Sequence, residues 1–230
     1  MRPTSFNDLL SFDQLPWFQV VGDRLLLDPE VGPAIDVHTH LSLAFVLPST
    51  VCQHRVTEEV NTYLPERGRA IDLEPYGNTN LTTGDVSRMK RDLTLGNFHP
   101  FGMHQTHTAA NLLCRMSDMQ ITHAVILAVD LPMISSNSER YIEISREEPR
   151  LIPFGSSHPL SPTPRRRVKR LARLGARGLK VHPASQYFYP NSPRVMAVYS
   201  ACAEAGLPVF WHCGPVGIEL KRSDAEPFRV

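Results

Sequence analysis

Six consecutive residues, Ile35-Asp36-Val37-His38-Thr39-His40, carry side chains suited to metal chemistry. An apolar run that closes on two imidazoles one residue apart reads as a strand, where positions i and i+2 share a face. Asp36, His38 and His40 then line one face, while Ile35 and Val37 are expected to point at covering helices on the other. Two neutral imidazoles, each about 2.0 to 2.1 Å from a zinc-like ion, supply half of a tetrahedral site. Taken alone, the same pattern also fits a surface histidine beside a hydrogen-bonded core histidine.

Two later segments repeat the design. Gly206-Leu207-Pro208-Val209-Phe210-Trp211-His212-Cys213-Gly214 ends an apolar run in His212. Ala176-Arg177-Gly178-Leu179-Lys180-Val181-His182-Pro183 puts Lys180 and His182 on one strand face, with Leu179 and Val181 on the other. In parallel α/β architectures the carboxyl ends of the strands meet on one face, which holds the active site. Residues as distant in sequence as His38 and His212 can converge there.

The elements that must position these groups alternate from residue 106 onward. Thr106 to Met119 carries Leu112, Leu113, Met116 and Met119 at helical spacing, and His123 to Val129 is a buried-type strand closing on Asp130. Ser135 to Glu147 is a second helix, and Arg150 to Gly155 a strand ending near His158. Pro164 opens a third helix that stops at Gly175, and Pro193 to Ala205 is a fourth. This alternation predicts βαβ units and a parallel sheet. The third helix presents Arg165, Arg166, Arg167, Lys169, Arg170 and Arg173 opposite the stripe Val168, Leu171, Ala172 and Leu174; a solvated outer helix face explains this better than a nucleic-acid patch.

Residues 1–34 form a leader with a short hairpin, Phe18 to Val21 and Arg24 to Leu27, turning at Gly22-Asp23. Residues 35–230 form a partial barrel domain carrying an insertion at 41–105, longer than an ordinary loop. The insertion holds His54, His99 and His104, with His107 just beyond it, and the Phe98-His99-Pro100-Phe101-Gly102 stretch is placed to descend over the site. Gln186-Tyr187-Phe188-Tyr189-Pro190 is expected to line a pocket.

The 230 residues are 42% apolar and 20% charged, with a net charge of +1. That balance predicts neither nucleic-acid nor membrane partners. No stretch approaches the roughly 20 apolar residues that span a bilayer, and Asn7, Asp8 and Asp13 break up any signal-peptide core, so a cytoplasmic location is expected. Cys52, Cys114, Cys202 and Cys213 form no CxxC pair and read as reduced thiols. Cys213 adjoins His212, but strand alternation turns it away from the His212 face.

Five strands are countable, and a (β/α)8 barrel would need three more units, or about 80 further residues. The sequence ends at Val230, as an incomplete barrel or as an open five-stranded sheet. At this point the residues resemble the metal-dependent hydrolases of the amidohydrolase superfamily, in particular the amidohydrolase-2 group that includes aminocarboxymuconate-semialdehyde decarboxylase. The resemblance is carried by IDVHTH (35–40), GARGLKVHPASQYFYPNSP (175–193) and GLPVFWHCG (206–214), and covers roughly residues 34 to 220. It implies an α/β fold of TIM-barrel (β/α)8 type, of which about five βα units are present.

The resemblance further implies a divalent metal, zinc first, with His38 and His40 as first-strand ligands and His212 as the ligand after strand five. It calls as well for a histidine after strand six and a metal-binding aspartate after strand eight, and this sequence contains neither. In some superfamily branches a carboxylated strand-four lysine bridges two metals. The amidohydrolase-2 group looks mononuclear, so Lys180 and His182 are expected to contact the substrate or support the ligands, and Asp36 to stand behind them.

The implied activity is attack of activated water on the carbonyl of a small amide or lactone, or a related decarboxylation. Two other expectations compete with it. Asp36-Val37-His38-Thr39-His40 also matches the opening of TatD-like nucleases and of polymerase-and-histidinol-phosphatase-type phosphoesterases, which would bring more carboxylates and a basic groove. A non-catalytic barrel fragment would instead pair its open sheet edge with a partner or as a homo-oligomer.

Overall fold

Branched and apolar runs pair in parallel, and each amphipathic segment between them crosses back over the sheet. The structure, a computed structural model, describes residues 5–45, 49–73, 80–95, 102–131 and 135–213. In chain order the elements are β1 (Ser5–Phe6), β2 (Phe18–Val21), β3 (Arg24–Leu27), β4 (Ala34–Thr39), β5 (Ile71–Asp72), α1 (Thr83–Leu95), α2 (Ala109–Asp118) and β6 (Ile121–Leu127). They continue as α3 (Asn137–Glu147), β7 (Leu151–Ser156), α4 (Pro164–Leu174), β8 (Gly178–Val181), α5 (Pro183–Gln186), α6 (Pro193–Glu204) and β9 (Val209–Trp211).

The main sheet has the order β4-β6-β7-β8-β9, with every neighbouring pair parallel. It curls into a half-barrel: His38 of β4 and Phe210 of β9, four strands apart in the sheet, bring their ring centroids to 5.2 Å. Side chains on the convex face pack under the helices. Met116, Ile126, Tyr141 and Leu151 build one cluster there, and Leu171, Leu179, Val181, Val198 and Ala201 another. Each such burial contributes about 1.5 to 3 kcal/mol against the exposed state. The concave face receives the alternate residues of each strand, Lys180 among them.

Local chemistry sets the helix ends. Pro164 occupies the first turn of α4, and Gly175 closes it at φ 119°, a left-handed conformation that suits glycine. Val168 and Leu171 are fully buried, while Arg165, Arg166, Lys169, Arg170 and Arg173 face outward. α2 starts at Ala109 and not at Thr106, because the Thr108 hydroxyl accepts from the Asn111 amide and Met103–Thr106 tighten into a 3-10 turn. Within residues 41–105 the chain also forms α1, which the periodicity did not announce, and β5, which pairs with β1.

One expectation is corrected. Ile35 and Val37 are 59% and 56% exposed, not covered by helices. β4 is an edge of the sheet, and neither residue joins a buried cluster among the described residues. The Phe98-His99-Pro100-Phe101 stretch lies outside the described residues. No described helix is long and apolar enough to cross a membrane.

Candidate metal centre

The concave face gathers a cluster of imidazoles at the carboxyl end of the sheet. The His38 ring lies 5.3 Å from His40 and 6.2 Å from His212, centroid to centroid. His212 stacks on His182 at 3.9 Å with the planes 8° apart. Lys180 joins the cluster from β8, its Nζ 4.7 Å from the Phe210 centroid. Sequence positions from 38 to 212 meet here because β4, β8 and β9 run parallel and end on the same side.

His40 is prepared to act as a ligand. Its Nδ1 donates to the Leu127 carbonyl at 2.7 Å, which leaves the Nε2 lone pair free of a proton. Burial lowers its pKa to about 3, so the ring is neutral at physiological pH. His38 is more open; burial lowers its pKa too, followed by the nearby Lys180 charge, and its backbone N–H donates to Asp36 Oδ1 at 2.9 Å. The Asp36 carboxylate is thus turned to its own strand end. The His212 N–H extends the β8–β9 ladder by donating to Val181 O at 3.0 Å.

His182 is arranged differently. Its Nδ1 accepts from the Ser185 N–H at 3.2 Å, so that lone pair is committed to the turn that starts α5. Burial lowers its pKa to about 2. Its backbone N–H donates to Gln186 Oε1 at 2.9 Å, and Gln186 Nε2 donates to Asp130 O and Ser156 Oγ at 2.8 and 3.1 Å. A single buried amide therefore ties the ends of β6, β7 and β8. The expectation that the Gln186–Pro190 stretch lines a pocket does not describe Gln186, which is buried among these strand ends. Its neighbours Tyr187 and Tyr189 are exposed, and only Phe188 turns inward, toward His158.

Lys180 is fully buried, and its Nζ has no hydrogen-bond partner among the described residues. Burial lowers its pKa to about 8. Phe210, which strand alternation places on the same face as His212, is a cluster residue that histidine spacing did not point to. Asp130 is withdrawn from the cluster. Its carboxylate pairs with Arg167 at 2.6 Å and accepts from the Ser138 hydroxyl and the Asn137 N–H; burial raises its pKa while Ser138 and Arg167 oppose the rise. It is committed to joining β6 to α3 and α4.

The donor chemistry of His38, His40 and His212 fits a divalent ion, since all three are imidazoles and His40 holds the required tautomer. Among the described residues, however, no three His, Cys, Asp or Glu side chains are placed to hold a metal ion. The cluster assembles donors without closing them around a point.

A family model described as "Amidohydrolase" matches residues 35–228, from the strand that bears His38 to beyond His212. The chain belongs to the amidohydrolase family. Within that family its His38-Thr39-His40 and His212 stand at the two ends of the curled sheet that the histidine cluster spans. Among solved structures it is similar to an uncharacterized TIM-barrel protein, Bb4693, from Bordetella bronchiseptica, with 16% identity and a TM-score of 0.46. That likeness covers 61% of this chain and 51% of the other, so the chain spans about half of that protein's length. No curated protein matches the chain.

Proposed function

We propose that this amidohydrolase-family chain carries the ligand half of a mononuclear metal site, held by His38, His40 and His212, for hydrolysis of a small amide or lactone or a related decarboxylation. The observation that carries the proposal is the His40 tautomer: Nδ1–H is spent on Leu127 O, which leaves the Nε2 lone pair for a ligand, in a ring 5.3 Å from that of His38. A divalent ion, zinc first, would polarise a carbonyl and activate water when bound.

The chain's own groups supply the rest. His182 backs His212 through the ring stack and is fixed by Ser185 and Gln186, so it orients a ligand face and shields it from solvent. Lys180, with a pKa of about 8, holds a proton near neutral pH at a buried Nζ that makes no hydrogen bond among the described residues. Such a group can donate to the oxygen on which negative charge develops. The Phe210 ring covers its other side.

The test is a paired assay on the zinc-loaded chain with a chromogenic lactone and bis-p-nitrophenyl phosphate. Lactone turnover that disappears in Lys180→Met supports the proposal. Turnover of the phosphodiester alone would assign the site to phosphoester chemistry instead.

A further inference from the structure

A second concave surface opens beside the metal face. The loop from Pro159 to Thr163 follows β7, and with the first turns of α4 and α6 it borders an open cleft of about 800 Å³. That volume lies within the range of about 300 to 1,000 Å³ that small-molecule sites occupy. Both flanking helices start at the carboxyl side of the parallel sheet, so the cleft lies on the same side of the molecule as the histidine cluster. None of His38, His40, Lys180, His182 or His212 lines it.

Its charge is one-sided. Arg165, Arg166, Lys169 and Arg194 line it. A single carboxylate, Glu204, compensates them, pairing with Arg165 at 2.5 Å and Lys169 at 2.7 Å. Arg166 and Arg194 have no ion-pair partner among the described residues. This imbalance is local, because the whole chain carries a net charge of only +1. The remaining wall is apolar and stiff: Pro159, Leu160, Pro162 and Pro164, with Leu160 52% exposed. The Ser161 and Thr163 side chains also line it, and the Thr163 hydroxyl does not cap α4.

We propose that this cleft binds a small ligand bearing a phosphate or diphosphate group, with Arg166 and Arg194 as its principal contacts and the proline-leucine wall against its apolar part. Guanidinium forks match phosphate oxygens two at a time, which gives arginine an advantage over lysine at such a site. A planar monocarboxylate would satisfy only one of the two unpaired arginines, whereas a diphosphate can engage both. The concave shape favours a compact anion over an extended polymer. The solvated outer surface of α4, Arg170 and Arg173, continues outside the cleft.

The probe is sodium pyrophosphate, titrated calorimetrically into the full chain at 0.1 M and 0.3 M salt. Arg166→Ala/Arg194→Ala is expected to weaken binding about tenfold or more and to flatten the salt dependence. Arg166→Lys/Arg194→Lys, which retains the charge, is expected to recover part of the affinity. Circular dichroism checks that each variant folds. His38→Ala/His40→Ala should bind pyrophosphate as the unmodified chain does, which separates this site from the metal centre.

Pyrophosphate affinity unchanged by the alanine pair would overturn the proposal, as would loss of binding in the histidine variant. So would no binding at millimolar pyrophosphate, or tighter binding of a single-stranded oligonucleotide through the same arginines.

Discussion

His182 and His212 lie face to face, 3.9 Å apart and 8° from parallel, although only His212 is among the proposed ligands. His182 owes its place to Gln186 and Ser185, and His212 owes its place to the β8–β9 ladder. The stack therefore transmits the order of the β8 turn to the far side of the cluster. His182→Ala should loosen His212 and weaken zinc binding by about 10- to 100-fold, the usual cost of losing a group that orients a ligand. His182→Phe keeps the ring and should retain most of the affinity in a chelator competition. Equal affinities for the two variants would show that the stack does not orient His212.

Buried neutral histidines make the metal-free fold sensitive to acid. His104 has a pKa lowered by burial to about 4, and His182 to about 2, against 6.5 for an unperturbed ring. Below 6.5 the unfolded chain binds protons that the folded chain refuses, so stability falls as pH drops from 7 toward 4. Each histidine contributes a slope of up to about 1.4 kcal/mol per pH unit in that window. Urea unfolding of His104→Gln should show a shallower decline by about one proton, and an unchanged slope would contradict the neutral state of His104.

The Asp130–Arg167 pair is a buried joint. Their side chains are 3% and 21% exposed, 2.6 Å apart, and Glu139 also reaches Arg167 at 3.1 Å. Arg167→Ala leaves a buried carboxylate without its cation and should cost about 3 kcal/mol. Asp130→Asn/Arg167→Ala should recover part of that loss. A denaturation cycle with purely additive effects would show that the two charges are not coupled.

Gly178 permits β7 and β8 to pair closely. A Cβ there would overlap the Phe154 ring across the strands. Gly178→Ala should destabilise the fold by about 1 to 3 kcal/mol, in the range of overpacked cores. Phe154→Leu in the same background should restore part of the loss by making room. Thermal melts of the single and double variants decide this.

The five parallel strands were legible because their apolar runs are short, regularly spaced and bounded by residues such as Gly175 before β8, Pro183 after it and Asp130 after β6. The histidine convergence was legible for a related reason, since parallel strands deliver their carboxyl ends to one face. Ile35 and Val37 differ from expectation because alternation reports which face a residue takes and not whether anything covers that face. α1, Thr83 to Leu95, is held at its start by Asp85 contacts with Thr82 and Arg69, which apolar spacing does not report. The role of Gln186 depends on three backbone and side-chain partners brought from β6, β7 and β8, and no local pattern encodes such a meeting.

The central claim is that His38, His40 and His212 bind one divalent ion. Elemental analysis of the purified, zinc-supplemented and desalted chain measures this directly, beside His38→Ala/His40→Ala and His212→Ala. The account predicts about one zinc per chain, lost in both variants. Zinc content unchanged in His212→Ala, or no zinc in the unmodified chain, would contradict it.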